Sequence, residues 1–388
     1  MQNKSRVKKV IILGSTGSIG ESTLDVIRKH RQSFTVVGLS CNTNVKRIIQ
    51  QADEFSPAAL AVAGGKDKGI LTGNKPYTLY WGEEGLREMI SHLKPDLVVN
   101  GISGAKGLIP SIETLLCGAD LALANKETIV MAGPLVLSLA KEKGMRVIPV
   151  DSEHAGLFQL LGSLPQKRIS EIIITASGGA FRDLSIKQLS TVTAEDALKH
   201  PTWDMGKKIT IDSATMGNKG LEIIEAHYLF NMPPSKIKVV IHPQSLVHSL
   251  VRTIDGCLFA QISEPDMRMP IHHALFYPDI VGSDFGMIDL VGRELSFLPV
   301  DKDKYRMLSL GYRAAEIGMP YPVVYNAANE VAVDAFIKGK IQFPFIPVIV
   351  EKTLELTWEN IVGSIKGILE TDRQARECAR DIIVKLGR

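Results

Sequence analysis

Through the first 150 residues, short apolar runs rich in branched side chains alternate with stretches whose apolar positions recur every three or four residues. The runs VKKVIIL (7–13), FTVVGLS (34–40), AALAVA (58–63), DLVVN (96–100), ADLALA (119–124) and MRVIPV (145–150) predict strands. Residues 19–30 and a segment from about Val45 predict helices. Strands that are apolar almost throughout are buried on both faces, which is the condition of a parallel sheet with helices on either side.

Past residue 150 the pattern changes. RISEIIITAS (168–177) predicts a strand, and VHSLVRTIDGCLFAQIS (247–263) a hairpin turning at Asp255-Gly256. Residues 281–300, with Gly282, Gly286, Gly292 and Pro299, predict an irregular linker. From Lys304 the pattern is helical, interrupted at MPYP (319–322) and FPFIP (343–347). The expected fold class is α/β: a doubly wound parallel sheet over 1–150, an α+β domain over 151–280, a linker over 281–300 and a helical domain over 301–388.

Composition narrows the function. The chain has 388 residues, 45% hydrophobic and 22% charged, with net charge +3, which argues against nucleic acid or membrane as a partner. The longest weakly charged run, TIVMAGPLVLSLA (128–140), is too short to span a bilayer and contains Pro134. The basic start MQNKSRVKKV leads into an apolar run too short for a secretory signal. Cys41, Cys117, Cys257 and Cys378 are far apart without a CxxC, and read as reduced thiols of a cytoplasmic protein.

Three segments carry chemistry. ILGSTGSIG (12–20) spaces Gly14, Gly17 and Gly20 between a strand and a helix. That spacing permits a tight turn and a pyrophosphate at the helix N-terminus, as in a Rossmann-like dinucleotide domain. The end of the second strand, LSCNTNVKR (39–47), lacks the acid that would bind a ribose 2′-hydroxyl; Asn42, Thr43 and Asn44 with Lys46 and Arg47 favour NADP over NAD. Thr43 or Asn44 also suits a helix cap.

The second segment is VIPVDSEH (147–154), where Asp151 and Glu153 follow a strand and share a face if the chain stays extended. Asp151 or Ser152 equally suits a helix N-cap. The third, HPTWDMGKKITIDSATMGNKGLE (200–222), places Asn218 and Glu222 on one face, with Lys219 beside them, if 213–227 is helical. Glu222 with Asp151 and Glu153 would make an oxygen-only site for a hard cation, Mg²⁺ or Mn²⁺; the alternative is a solvated Lys/Glu helix face. Ser177-Gly178-Gly179 after the strand 168–177 suits a phosphate cradle or an ordinary turn. Asn125 and Lys126 close a further strand and point to the same crevice.

Together the motifs GSTGSIG, ANKE, VDSEH, SGGAFR, HPTWDMG, DSATMGNKGLE and EPDMRMP resemble, in order and spacing over nearly the whole chain, the 1-deoxy-D-xylulose 5-phosphate reductoisomerases. The resemblance implies NADPH, Mg²⁺ or Mn²⁺ (or Co²⁺), a phosphorylated sugar substrate and a homodimer. It implies metal ligands at Asp151, Glu153 and Glu222. The phosphate falls to Ser177, Ser213, Asn218 and Lys219, with His200 at the substrate and Trp203 closing a lid over about 200–208. Lys126, Ser152 and Glu153 line the carbonyl end, and Lys126, Glu153 and His200 are its catalytic candidates. NADPH contacts fall on Gly14, Thr16, Gly17, Ser18, Ile19, Asn125, Glu127, Gly206 and Met267, besides Asn42, Thr43 and Asn44. The chain departs from many relatives there, having Asn42-Thr43-Asn44 for Gly-Lys-Asn, and also Gly217 for Met and Ala180 for Pro. Two other functions fit parts of the pattern: a metal-free NADP-dependent dehydrogenase, and a non-catalytic NADPH-sensing protein.

Overall fold

The computed structural model describes residues 7–64, 76–198, 206–360 and 363–386. In chain order the first elements are β1 (Lys8–Leu13), α1 (Ser18–Lys29), β2 (Phe34–Cys41), α2 (Val45–Phe55), β3 (Ala59–Val62), β4 (Thr78–Trp81), α3 (Gly82–Leu93), β5 (Leu97–Asn100), α4 (Leu108–Leu116), β6 (Asp120–Leu123), α5 (Lys126–Lys143) and β7 (Val147–Pro149). There follow α6 (Ser152–Ser163), β8 (Ile169–Ala176), α7 (Ala194–Ala197), α8 (Lys207–Thr215), α9 (Gly217–Leu229), β9 (Ile237–Ile241), β10 (Val247–Thr253), β11 (Leu258–Ile262) and α10 (Arg268–Phe276). The last four helices are α11 (Arg306–Ile317), α12 (Tyr321–Ile337), α13 (Phe345–Leu354) and α14 (Ile365–Leu386).

The chain forms two compact units. The first takes residues 1–125, 136–151 and 266–285, and the second takes 126–135, 152–265 and 286–388. The first unit is built on a seven-stranded parallel sheet of order β4-β3-β2-β1-β5-β6-β7. Strand order runs outward from β1 in both directions, so right-handed crossovers put helices on opposite faces. Val10, Ile11, Ile12 and Leu13 of β1 are fully buried, each worth roughly 1.5–3 kcal/mol of apolar burial. The reversal between β1 and β5 is where such sheets bind ligands. Gly14 lies there at φ +72°, and a Cβ on it would stand 3.0 Å from the Gly101 carbonyl oxygen beyond β5.

The second unit holds a four-stranded sheet, β11-β10-β8-β9, in which β8 pairs parallel with β9 and antiparallel with β10. The predicted hairpin is present, β10 pairing antiparallel with β11 around Asp255-Gly256. Helices α11 to α14 pack with α8 and α9 around a core that includes Tyr325, Met307, Ile223 and Ile346. Gly220 of α9 meets Gly311 of α11 so closely that a Cβ on Gly311 would lie 2.5 Å from the Gly220 Cα.

Two strands escape the sequence pattern: β4 is a half-exposed edge strand, and β9 is a five-residue run interrupted by an exposed lysine, Lys238. The single helix expected over 213–227 is two. Met216 adopts the left-handed conformation (φ 57°, ψ 18°) and separates α8 from α9. Helix α5 is kinked at Ala132, two residues before Pro134, whose ring cannot donate to the preceding turn and clashes with it. The first half of α5 belongs to the second unit and the rest to the first.

Candidate active site

In the first unit the glycine loop runs from β1 into α1. Gly17 is the N-cap of α1, and no side chain caps its amides, leaving them for an anion at the positive end of the helix dipole. Gly17 and Ser18 are exposed, while Gly14, Thr16 and Ile19 are half-buried. Gly20 is required by packing, since a Cβ there would fall 2.3 Å from Ser15 backbone atoms. The Gly14 amide donates to Ser40 Oγ at 3.0 Å and the Ser15 amide to the Ser40 carbonyl at 2.8 Å, which ties the loop to the end of β2. Asn42, Thr43 and Asn44 are exposed. Asn44 is also the N-cap of α2, its side chain accepting from the Arg47 amide at 3.2 Å. Asn125 is buried and donates from Nδ2 to the carbonyls of Ile102 (2.7 Å) and Gly104 (2.9 Å), which shapes the loop after β5. Met267 is half-buried and is the residue before α10.

The second unit gathers charged side chains from three helices. Glu222, fully buried on α9, accepts from Lys126 Nζ of α5 at 3.0 Å, from Asn218 Nδ2 at 2.5 Å and from Lys219 Nζ. Lys219 Nζ also donates to Glu153 Oε1 at 2.6 Å, so one ammonium bridges the two carboxylates. Glu153 and Glu222 offer oxygens within 4.8 Å of each other. Asn218, Lys219 and Glu222 do share a face of α9, as the i, i+3 and i+4 spacings require.

The chain does not stay extended through Glu153. Ser152 is already helical, Glu153 lies in the first turn of α6, and the Ser152 hydroxyl donates to the Glu153 carboxylate. Acids at this end of a helix are favoured by its dipole. Asp151, half-buried, is the last residue of the first unit and is joined by the peptide bond to Ser152.

The turn after β8 is a glycine cradle. Gly178 and Gly179 have φ of 86° and 70°, conformations costly for other residues. The Gly179 amide donates to Ser177 Oγ at 3.2 Å. A Cβ on Gly179 would be 2.6 Å from the Ser213 carbonyl oxygen, so this turn lies directly against Ser213 of α8. The C-terminal helical region braces both parts. Tyr305 Oη donates to the Gly178 carbonyl at 2.9 Å and Tyr325 Oη to the Gly217 carbonyl, at the start of α9, at 3.3 Å.

Sequence reasoning missed a buried polar chain behind these groups. Lys208 Nζ meets Glu127 Oε1 at 2.8 Å and Asp212 Oδ2 at 2.9 Å, and Asn329 Nδ2 of α12 donates to Asp212 Oδ1 at 2.8 Å. Burial raises the Glu127 carboxyl, but Lys208 outweighs it and holds the group below its ordinary range. The Lys208 ammonium is held above its ordinary range, burial being overcome by Asp212 and Glu127. Glu127 is thus engaged by Lys208, and Gly206 is the exposed N-cap residue of α8. His154 was missed too. It is fully buried, contacts the Glu222 carbonyl at 3.0 Å and Glu225 Oε2 at 3.4 Å, and stacks on Phe230. His248 on β10 is buried; burial pushes its pKa down against the pull of Glu153. A histidine inside the apolar run VHSLV was the signal available for it. His200 and Trp203 lie outside the described residues, as do all of positions 200–205 of the expected lid.

Three family profiles match the chain: 1-deoxy-D-xylulose 5-phosphate reductoisomerase over residues 10–133, the C-terminal domain of the same enzyme over 147–230, and the DXP reductoisomerase C-terminal domain over 262–378. The chain is 46% identical over 384 residues to the 1-deoxy-D-xylulose 5-phosphate reductoisomerase of Chlorobaculum tepidum, covering 97% of this chain and 100% of the relative. The chain belongs to the 1-deoxy-D-xylulose 5-phosphate reductoisomerase family. The reductoisomerase of Crocosphaera subtropica is 45% identical over 96% of this chain and 95% of its own length. Among solved structures, a DOX-P reductoisomerase in complex with NADPH, fosmidomycin and magnesium superposes with TM-score 0.90 at 38% identity, covering 98% of this chain and 99% of the other. The Zymomonas mobilis enzyme in complex with NADPH gives 0.89 at 37%, over 97% and 99%. All four cysteines are free, and among the described residues no helix is long and apolar enough to cross a membrane.

Proposed function

We propose that the chain performs the reaction of its family: NADPH- and divalent-metal-dependent rearrangement and reduction of 1-deoxy-D-xylulose 5-phosphate to 2-C-methyl-D-erythritol 4-phosphate. The observation that carries this reading is the pair of carboxylates, Glu153 and Glu222, bridged by the ammonium of Lys219. A cation already stands between them, and their donor set is all oxygen, which suits Mg²⁺ or Mn²⁺. Asp151, two residues before Glu153, is the third ligand of this reading. When bound, the metal supplies Lewis-acid stabilisation of charge developing on the substrate's oxygens, and NADPH supplies the hydride.

The chain's own residues do the rest. Lys126, held at 3.0 Å from Glu222, brings a positive charge to the carbonyl end of the substrate beside Ser152. Release of Lys219 from the two carboxylates turns its ammonium to the substrate phosphate with Asn218. The Ser177-Gly178-Gly179 turn and Ser213, packed together, offer hydroxyls and backbone amides to the same phosphate. That remote binding energy supports the chemistry at the other end of the substrate. The glycine loop at Gly14, Gly17 and Ser18 takes the NADPH pyrophosphate. His200 and Trp203 enter this reading through the family resemblance alone.

The homodimer is part of the same proposal. Strand β11 is an edge of the second sheet, and Ile254, Leu258 and Phe259 beside or on it are exposed. Such an edge is a template for pairing with a second copy; light scattering that gives a monomer mass at micromolar concentration would count against it. The four free cysteines favour the cytoplasm. Product analysis tests the reaction: one 2-C-methyl-D-erythritol 4-phosphate should form per NADPH oxidised, and NADPH oxidation with a different product would return the chain to the dehydrogenase reading.

A further inference from the structure

The NADP preference read from LSCNTNVKR depends on basic groups beyond β2, and the structure changes what those groups can do. Arg47, in the first turn of α2, does not point its guanidinium into an open site. Its Nε donates to Glu21 Oε1 at 2.6 Å and its Nη2 to Glu21 Oε2 at 2.8 Å, a two-pronged pairing with the first turn of α1. Its Nη1 donates to Gln50 Oε1 at 3.0 Å. Gln51 fixes the acceptor, donating to Glu21 Oε1 at 2.9 Å and to the Ser15 carbonyl at 2.8 Å, while Ser15 Oγ donates back to Gln51 Oε1 at 2.7 Å. Gln51 and Ser15 are buried, so the Glu21 carboxylate is tied to the glycine loop. Glu21 is itself the fourth residue of α1, three after Ser18.

We propose that Glu21 is a specificity-determining residue that weakens this chain's preference for NADPH over NADH by holding Arg47 away from the ribose 2′-phosphate. The inference rests on the reading that the glycine loop binds the dinucleotide. In such domains the group at the end of β2 decides between a 2′-hydroxyl and a 2′-phosphate. An arginine matches a phosphate with two parallel donors, but here both prongs are on a carboxylate. The 2′-phosphate is left with the amide and hydroxyl of Asn42 and Thr43 and the exposed ammonium of Lys46, because the Glu21 carboxylate occupies and neutralises Arg47. Withholding a two-pronged cation costs a dianion much and a 2′-hydroxyl little, so it lowers NADPH affinity selectively.

Equilibrium binding tests this apart from turnover. Dissociation constants for NADPH and NADH, and for 2′,5′-ADP and 5′-AMP as probes of the subsite, would be measured on the wild type, Glu21→Gln, Arg47→Ala and the double variant. Glu21→Gln should tighten NADPH and 2′,5′-ADP by about 5–10-fold and leave NADH and 5′-AMP within twofold. Arg47→Ala alone should change NADPH binding less than threefold, and in the Glu21→Gln background it should erase the gain. The pair is partly exposed, so the variants keep the fold, which a thermal melt checks. Loss of threefold or more in NADPH affinity for Arg47→Ala, or no gain for Glu21→Gln, overturns the proposal. Absence of binding of either dinucleotide to the wild type overturns the glycine-loop reading beneath it.

Discussion

Replacing Glu222 by Gln removes one negative charge while keeping the side chain's size and most of its hydrogen bonds. Glu222 is fully buried and accepts from Lys126, Asn218 and Lys219. At an effective dielectric near 20, unit charges 3.0 Å apart, the Lys126 distance, attract by roughly 5–6 kcal/mol. Desolvation offsets much of that, and taking one partner from a buried pair costs about 3–5 kcal/mol. The metal-free variant should therefore melt well below the wild type. Turnover should fall at least 100-fold, about 2.7 kcal/mol of transition-state stabilisation. The glycine loop lies in the other compact unit, so the NADPH dissociation constant should stay within twofold. Mg²⁺ at 100 times its dissociation constant should stabilise the wild type by about 2.7 kcal/mol, and the variant should lose that protection. Steady-state NADPH oxidation over a range of Mg²⁺, with melts at each concentration, reads both effects. A variant whose metal-dependent turnover stays within threefold of wild type, with the same metal-induced rise in melting temperature, would refute Glu222 as a ligand.

Three further outcomes are expected. Lys208→Met leaves the Glu127 and Asp212 carboxylates, 8% and 1% exposed, without their shared cation; chemical denaturation should read a loss of about 3–5 kcal/mol, partly restored in Lys208→Arg. Gly179→Ala puts a Cβ at a left-handed position and 2.6 Å from the Ser213 oxygen, so KM for the sugar phosphate should rise at least about tenfold with NADPH affinity unchanged. His272, buried beside Phe276 and Phe285, has its pKa lowered to about 4, by burial first and then by His30 and His273. It stays neutral when folded and protonates near 6.5 when unfolded, so its stabilising contribution is present above pH 6.5 and is lost as pH falls toward 4. His272→Phe should flatten the fall in melting temperature across that window; an unchanged slope would remove His272 as its source.

The parallel sheet was readable because its strands are buried on both faces, and uninterrupted runs such as VVGL and DLVV carry that signal without reference to anything distant. Strand β4, TLYW, escaped because it is only four residues long and, as a half-exposed edge strand with one neighbour, does not form part of a longer buried run. The left-handed break at Met216 also escaped, since apolar spacing continues across it. Among the site residues, Asn218, Lys219 and Glu222 were legible as one helical face. Their meeting with Glu153 and Lys126 was not, because those contacts span 66 and 96 positions and depend on how α5, α6 and α9 pack. Lys208, Asp212 and Asn329 look locally like surface polar residues of amphipathic helices, and become a buried chain only when α12 covers α8. The motif resemblance supplied what periodicity could not.

The carboxylate cluster makes turnover depend on a divalent cation in this reading, and NADPH oxidation with 1-deoxy-D-xylulose 5-phosphate can be followed after exhaustive EDTA treatment and again on adding back Mg²⁺ or Mn²⁺. Activity should vanish in EDTA and return with either ion; oxidation that continues at full rate without metal would contradict it.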